Sequence, residues 1–299
     1  MWFKNLQILR VPTGWTMTAP ELETQLRHLV FQPCGGSVRE SLGWIPPRGD
    51  DRLVYALHGQ WLVALGVEQK LLPASVVKQH VEARAAELES RMGVRPGRKR
   101  MRELKDEVTD ELLPRAFSRY RTTFAWIDPV NGWLAVDAGS PKKQEEFTAA
   151  LRRSLDEFPI APLKTRVSPQ AAMTEWLVAR EAPGGMTIDR ECALQSPLEE
   201  KATVRYTHHP LTDTDEIRNH ISGGKLPIRL ALTWQDRVSF VLTDRLEVRK
   251  LAFLDVVEAE AGPDAESAEE QFESDFTLMT GLLARFLATL TETLGGEAS

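Results

Sequence analysis

Cysteine is scarce in this chain of 299 residues: Cys34 and Cys192 lie far apart and lack the local spacing of a zinc or thioredoxin-like site. A disulfide framework and a cysteine metal centre are therefore set aside, and both thiols read as inert packing or loop residues. Long apolar runs are missing as well. None approaches the roughly 20 residues needed to span a bilayer, and the start, MWFKNLQILR, has no apolar secretory core. The expectation is a cytoplasmic protein with no membrane partner. Phosphate-cradling glycine loops, a Rossmann fingerprint, a nucleophile elbow and a zinc-protease helix are all lacking. These absences remove the familiar enzyme classes, and no cofactor is expected.

What is present is ordinary for a globular protein in amount and unusual in arrangement. Hydrophobic residues make up 42% of the chain and charged residues 27%, enough for two or three compact units. The net charge of −6 hides a segregation: Glu258 to Asp275 holds eight acids and no Lys or Arg, and without it the balance becomes +2. Arg91 to Arg121 carries ten basic against five acidic residues. Charge distribution matters more than its sum for a polyanionic partner.

In chain order, residues 2–11 read as a strand, and Thr18 with Glu21 forms a capping box before a helix with Leu22, Leu26, Leu29 and Val30 on one stripe. Leu53 to Leu57 and Trp61 to Val67 read as strands joined at His58 and Gly59, closed by Glu68 to Pro73. Val77, Val81, Ala85, Leu88 and Met92 mark a helix over Ala74 to Met92; Met101, Leu104, Val108 and Leu112 mark another. With Gly93 to Gly97 turning between them, an antiparallel helical hairpin is expected. Thr122 to Ile127 and Trp133 to Val136 read as strands, and Lys142 to Phe158 as a helix with Phe147, Leu151 and Leu155 inward. Pro159 to Pro169 reads as a boundary. Beyond it come a helix from Leu211 to the stop at Gly223, a three-strand meander from Leu226 to Ala252, an acidic linker and a last helix bearing Phe276, Met279, Leu283, Phe286, Leu287 and Leu290.

The fold class is α+β. The expected units are a central α+β region (1–73 and 117–165), the helical hairpin as a tip (74–116), and a C-terminal α+β base with acidic linker and final helix (166–299).

Chemistry concentrates in LLPRAFSRYRTTFAWIDPVNGWLAVDAGSPKK, Leu112 to Lys143, read as a basic, aromatic-bearing turn leading into a strand pair. Arg115, Arg119 and Arg121 surround Phe117 and Tyr120, a mixture costly to bury. Arg95, Arg98, Lys99, Arg100, Arg102 and Lys105 decorate the preceding loop and helix. Two readings stand side by side: a solvated helix face laced by pairs such as Arg102 with Asp106, or a surface whose guanidinium groups meet phosphates while aromatic rings stack or pack. Phe117 is read as a subunit contact, with base stacking and simple core packing as rivals. Adjacent His208 and His209 point to opposite faces if extended and cannot readily share a metal; they are read as a contact surface near Tyr206. Asp128, Asp137 and Glu107 form the alternative, a metal-dependent phosphodiesterase acting on nucleic acid.

WFKNL at Trp2 to Leu6, FQPCG at Phe31 to Gly35, GWIPP at Gly43 to Pro47, LPRAFSR at Leu113 to Arg119, LMTG at Leu278 to Gly281 and LGGEA near the end occur in this order. In these segments the chain resembles the RdgC family of bacterial recombination-associated proteins over nearly its whole length. The resemblance implies a non-enzymatic, nucleoid-associated protein that binds single- and double-stranded DNA with little sequence preference and restrains RecA-promoted recombination. It also implies a homodimeric ring: two horseshoe-shaped subunits, each with central region, tip and base, enclosing a basic hole wide enough for duplex DNA. The tip loop here, RMGVRPGRKRMRE, departs from the family's more lysine-rich version, and His208 and His209 replace longer polar or basic side chains.

Overall fold

The computed structural model describes residues 2–12, 15–198, 202–213, 215–255, 257 and 267–298. Twelve strands form one mixed-order sheet, every pairing antiparallel. The first half supplies β1 (Leu6–Arg10), β2 (Glu40–Ile45), β3 (Val54–Leu57), β4 (Gln60–Leu71), β5 (Phe117–Asp128), β6 (Trp133–Val136) and β7 (Ala161–Pro162). The second supplies β8 (Met186–Gln195), β9 (Thr203–Thr207), β10 (Leu226–Trp234), β11 (Val238–Thr243) and β12 (Glu247–Phe253). Across the sheet the order is β2-β4-β5-β6-β1-β12-β11-β10-β8-β9, with β3 also on β4 and β7 also on β1.

Seven α-helices are described: α1 (Ala19–Leu26), α2 (Ala74–Met92), α3 (Arg98–Leu112), α4 (Pro141–Ser154), α5 (Pro169–Ala179), α6 (Glu216–Ser222) and α7 (Ala268–Thr293). Strand alternation sends neighbouring side chains to opposite faces, and the two main cores follow from it. On one face Leu62 and Trp126 join Met173 and Trp176 of α5 and Phe276, Leu283 and Phe286 of α7. On the other, Val63, Leu65, Ala125 and Ile127 join Leu22 and Leu26 of α1 and Phe147 and Leu151 of α4. Covered on both sides, β4 is buried without interruption from Trp61 to Glu68, which explains a run that reads apolar instead of alternating. A third, small cluster of Val77, Val81, Ala85, Leu104 and Val108 holds α2 against α3. Gly93, left-handed at φ 71°, ends α2 and donates its N–H to Glu89 O.

Several expectations need correction. Phe117 to Arg121 is no turn: it begins β5 and pairs residue for residue with β4, from Leu71↔Phe117 to Trp61↔Ile127. The segment from Glu68, read as a closing loop, therefore continues β4 to Leu71. Ladder hydrogen bonds override a polar composition that argued against strand. α4 stops at Ser154, before Phe158, where Leu155 turns to extended backbone at ψ 136° while its N–H still bonds Leu151 O. α6 starts at Glu216, after the turn of Leu211 to Asp213. β2, α5, β8 and β9 were not read from the sequence. Within the acidic run, 268–275 form the first turns of α7, and 258–266 lie outside the described residues. Both cysteines are free thiols; Cys192 is buried, and burial pushes its thiol up to about 12.

Two glycines of the recurring motifs should respond oppositely to alanine. A Cβ at Gly43 would lie 2.4 Å from Phe31 Cα and 2.5 Å from Phe31 N, both backbone, where Phe31 N donates to Trp44 O at 3.0 Å. A Cβ at Gly281, inside α7, meets nothing within 4 Å. Gly43→Ala should cost about 1–3 kcal/mol or more as overpacking, whereas Gly281→Ala should gain up to about 1 kcal/mol of helix propensity. Denaturant titration of both checks this; equal midpoints would refute the close approach at Gly43.

Candidate nucleic-acid interface

The ends of β4 and β5 furthest from the β5–β6 turn build the first part of the surface. Paired residues share a face, so Phe117 stands beside Leu71, Arg119 beside Gln69, and Tyr120 beside Glu68. Phe117 is 85% exposed and Leu71 45%, which removes the core reading of Phe117. Arg119 donates to Gln69 Oε1 at 3.0 Å, while Arg121 turns to α4 and pairs with Glu146 at 2.6 Å.

The second part is α3 and the segments flanking it. Leu104 and Val108 face α2, leaving the polar residues outward. Arg95 pairs with Glu82 at 2.9 Å, and Arg100 with Glu103 at 3.1 Å and Glu107 at 2.8 Å. Among the described residues no ion pair engages Arg98, Lys99, Arg102, Lys105 or Arg115, and all five are exposed. The pairing of Arg102 with Asp106 expected for a solvated face is not among the contacts formed. Arg98, Arg102 and Lys105 follow the i, i+4, i+7 spacing and share one stripe. Uncompensated guanidinium and ammonium groups on such a stripe can bind phosphate without desolvating an existing pair.

Beneath this surface Glu68 is buried at 2% exposure. Its carboxylate accepts from Cys34 N at 2.6 Å and from Tyr120 Oη at 3.0 Å. The Ser118 hydroxyl, then the Cys34 N–H and the Tyr120 hydroxyl, hold it below the usual carboxylate range against the opposing effect of burial. Tyr120 is thereby fixed by its hydroxyl while its ring stays 65% exposed.

His208 and His209 lie elsewhere, in the turn after β9, the strand at the other edge of the sheet. His208 is exposed with φ 55°. His209 packs its ring 4.9 Å from that of Tyr206, and its Nε2 lies 3.2 Å from Glu216 Oε2. The structure thus separates the two sets of candidate contact residues by most of the sheet's width.

The acids weighed for metal chemistry are occupied locally. Asp128 is buried and accepts from Val130 N at 3.1 Å, Asn131 N at 3.0 Å and Asn131 Nδ2 at 2.7 Å. Asp137 accepts from Lys4 N and Asn5 N, and Glu107 holds Arg100. Among the described residues no three His, Cys, Asp or Glu gather into a metal-holding group, and no helix is long and apolar enough to cross a membrane. Sequence reasoning overlooked Arg205 and Arg229, exposed on β9 and β10; the signal was the alternation in LPIRLALTW, where the lone basic residue sits on the face opposite the core.

The family model described as "Putative exonuclease, RdgC" matches residues 1–297. The chain is similar to the recombination-associated protein RdgC of Dechloromonas aromatica (strain RCB), 54% identical over 299 residues that cover 99% of this chain and 98% of that protein. It is 50% identical over 297 residues to the same-named protein of Janthinobacterium sp. (strain Marseille), covering 99% of both. With that of Cupriavidus necator H16 the identity is 51% over 297 residues.

Two measurements test the local geometry. Phe117→Ser should leave unfolding free energy within about 0.5 kcal/mol, as for surface substitutions; a loss of several kcal/mol would return Phe117 to the core. A depressed folded pKa means that Glu68 contributes fully above the unfolded value of about 4.3. That contribution disappears as pH falls through the folded value. The stability gap between wild type and Glu68→Gln should therefore narrow from pH 6 to pH 3, and a gap independent of pH would contradict the hydrogen-bonded carboxylate.

Proposed function

The chain belongs to the RdgC family, and from that premise we propose that it is a non-enzymatic, nucleoid-associated DNA-binding protein that restrains RecA-promoted recombination. The observation that carries this reading is the set of exposed basic groups without an ion pair among the described residues, Arg98, Lys99, Arg102 and Lys105 on α3 and Arg115 in the turn that leads from it into β5. Such a set neutralises phosphates and offers a base-independent face. Arg95, Arg100, Arg119 and Arg121 complete the proposed DNA surface, although Arg95, Arg100 and Arg121 must exchange a carboxylate for a phosphate. Both single- and double-stranded DNA fit a surface that reads charge and not sequence.

We propose further that the active form is a homodimeric ring of horseshoe-shaped subunits, with α2 and α3 as tip, residues 1–73 and 117–165 as the central region and 166–299 as base. Exposed Phe117 towards one end of the sheet and His208 and His209 at the other offer two separate contacts, as a two-subunit ring around an open hole requires. The family description names an exonuclease, and a metal-dependent phosphodiesterase is the alternative to exclude by assay.

If six phosphates are neutralised, log K for duplex should fall with log salt at a slope of about −5, from about −0.9 per contact. Fluorescence anisotropy across salt concentrations on unrelated duplexes of equal length measures this, and a flat response or strong preference among them would refute the reading. End-labelled DNA incubated with Mg²⁺ or Mn²⁺ should stay intact; shortening that scales with protein would favour the exonuclease. Phe117→Ser should shorten residence on covalently closed plasmid and weaken one of two self-contacts in sedimentation, with single-strand affinity unchanged.

A further inference from the structure

On β8 to β12 the residues facing away from the main core alternate with it and include polar side chains. Arg205, Ala193, Arg229 and Thr243 occupy one rung across four strands, through the pairs Ala193↔Arg205, Arg229↔Ala193 and Arg229↔Thr243. Ala193 and Thr243 are small, so the two arginines stand clear of their neighbours. Where this face meets the start of α4, two adjoining cavities of about 290 Å³ each share Pro141, Arg245 and Glu247. The first is also lined by Arg229, Arg249, Gln195 and Asp244; the second by Gln7 and Gln144.

The charges in this cleft do not cancel. Arg249 donates through Nε at 3.1 Å and Nη2 at 2.6 Å to Glu247 Oε2, which satisfies the buried acid. Arg229 and Arg245 are exposed and have no ion pair among the described residues. Asp244 remains as the one acid without such a partner there, so the lining keeps one positive charge. The N-terminus of the 14-residue α4, with Lys142 and Lys143 in its first turn, adds the positive end of a helix dipole.

The independent observation is Gln7. Its residue is 5% exposed, it lines the second cavity, and its Nε2 is buried with no hydrogen-bond partner. It stands opposite Glu247 across the β1–β12 pair, so it shares the face of the cleft. A buried amide donor left bare is costly and calls for an acceptor. Helix start, two guanidinium groups without an ion pair and a bare N–H line two adjoining cavities that meet at Arg245, a lining suited to an acceptor-rich anion.

We infer that this cleft is a phosphate-binding site, with Arg229 and Arg245 supplying charge and Gln7 a neutral donor. The phosphate belongs either to a DNA backbone, an arm that rests on the function proposed above, or to a free phosphate ester.

The test uses the full chain and two probes: inorganic pyrophosphate by calorimetry and a 20-base-pair duplex by anisotropy. The variants are Arg229→Ala with Arg245→Ala, Gln7→Leu, and Arg52→Ala as a charge-loss reference remote from the cleft. Pyrophosphate affinity should drop about tenfold in the double variant and about threefold in Gln7→Leu, against no change in Arg52→Ala. Gln7→Leu should keep or raise the melting temperature, because it removes an unsatisfied buried group. A parallel loss on duplex, with the salt slope reduced by about 1.8, assigns the phosphate to DNA. Loss on pyrophosphate alone supports the cleft with a small ester as occupant. Wild type that binds pyrophosphate but no duplex would sink the proposed function and leave the cleft standing. No pyrophosphate binding by wild type, or no change on either probe in both cleft variants, overturns the site.

Discussion

Strand β1 is the constraint on which the remaining architecture depends. A buried strand must satisfy its N–H and C=O groups on both edges, and β1 does so with segments from both halves of the chain. One edge pairs with β6 through Gln7↔Val136 to Arg10↔Trp133. The other pairs first with β12, at Leu6↔Val248 and Gln7↔Glu247, then with β7 at Leu9↔Pro162 and Arg10↔Ala161. Its side chains divide in the same way, with Leu6 and Ile8 in one core and Leu9 and Val11 in the other. Helix α7, about 39 Å long at 1.5 Å per residue, lies across the seam. Its Phe272 and Phe276 meet Tyr55 of β3 at 5.3 and 5.5 Å, and its Phe286 meets Trp234 and Phe240 at 5.8 and 4.7 Å.

Charge is arranged around this frame so that each sign has a place. The acids beginning α7 lie at the positive end of its dipole, and Arg48 bridges them to the sheet. Its guanidinium sits 4.9 Å from the Tyr55 ring centre and 4.8 Å from that of Phe272, with Glu269 at 3.1 Å and Glu273 at 3.8 Å. These carboxylates are engaged with an arginine already. On α3 the opposite holds: Arg100 answers two acids, and the basic groups left over project outward. Segregation visible in the sequence thus persists locally, with acids gathered in the first turns of α7 and most of the basic residues of α3 in its first half.

The legible parts were those whose signal is local. Thr18 and Glu21 form the capping box in full, with Glu21 Oε2 accepting from Thr18 N at 2.8 Å. The apolar stripes of α2, α3 and α7 name most of the residues they bury, but Met92, the last of the α2 stripe, is 74% exposed at the helix end. What escaped was set by pairing at a distance. β2, ESLGWI, carries a glycine because Phe31 backbone crosses it, a fact no propensity records. β9, TVRYT, is an edge strand with one partner among the described residues, and β5 extends through Arg119 and Tyr120 because β4 is there to pair with it. α5 announced itself by Ser168, which accepts from Ala171 N at 3.2 Å ahead of Pro169 at the first turn. The run of prolines around it argued for a linker and masked the cap. Of the candidate site, the basic stripe on α3 was legible; the cleft with Gln7 was not, since it joins β1, α4 and the β11–β12 turn.

The exposed rings on β5 sit where the proposed subunit contact and the proposed DNA surface meet. Leaving a Phe in water forgoes about 1.5–3 kcal/mol relative to burying it, and Phe117 has Leu71 beside it, so the pair is a small apolar patch. A patch of this kind invites association with any apolar surface. Arg115 and Arg119 flank it, and their charge disfavours contact with partners that cannot answer it. Recognition is therefore conditional on complementarity, either an acidic rim on a second subunit or the phosphates of a nucleic acid. Tyr120 faces the other way from Phe117, and its tie to Glu68 holds that ring against rotation. One strand end thus presents an apolar ring to one side and a hydrogen-bonded ring to the other, which is what a segment needs if it is to touch a partner subunit and DNA at once.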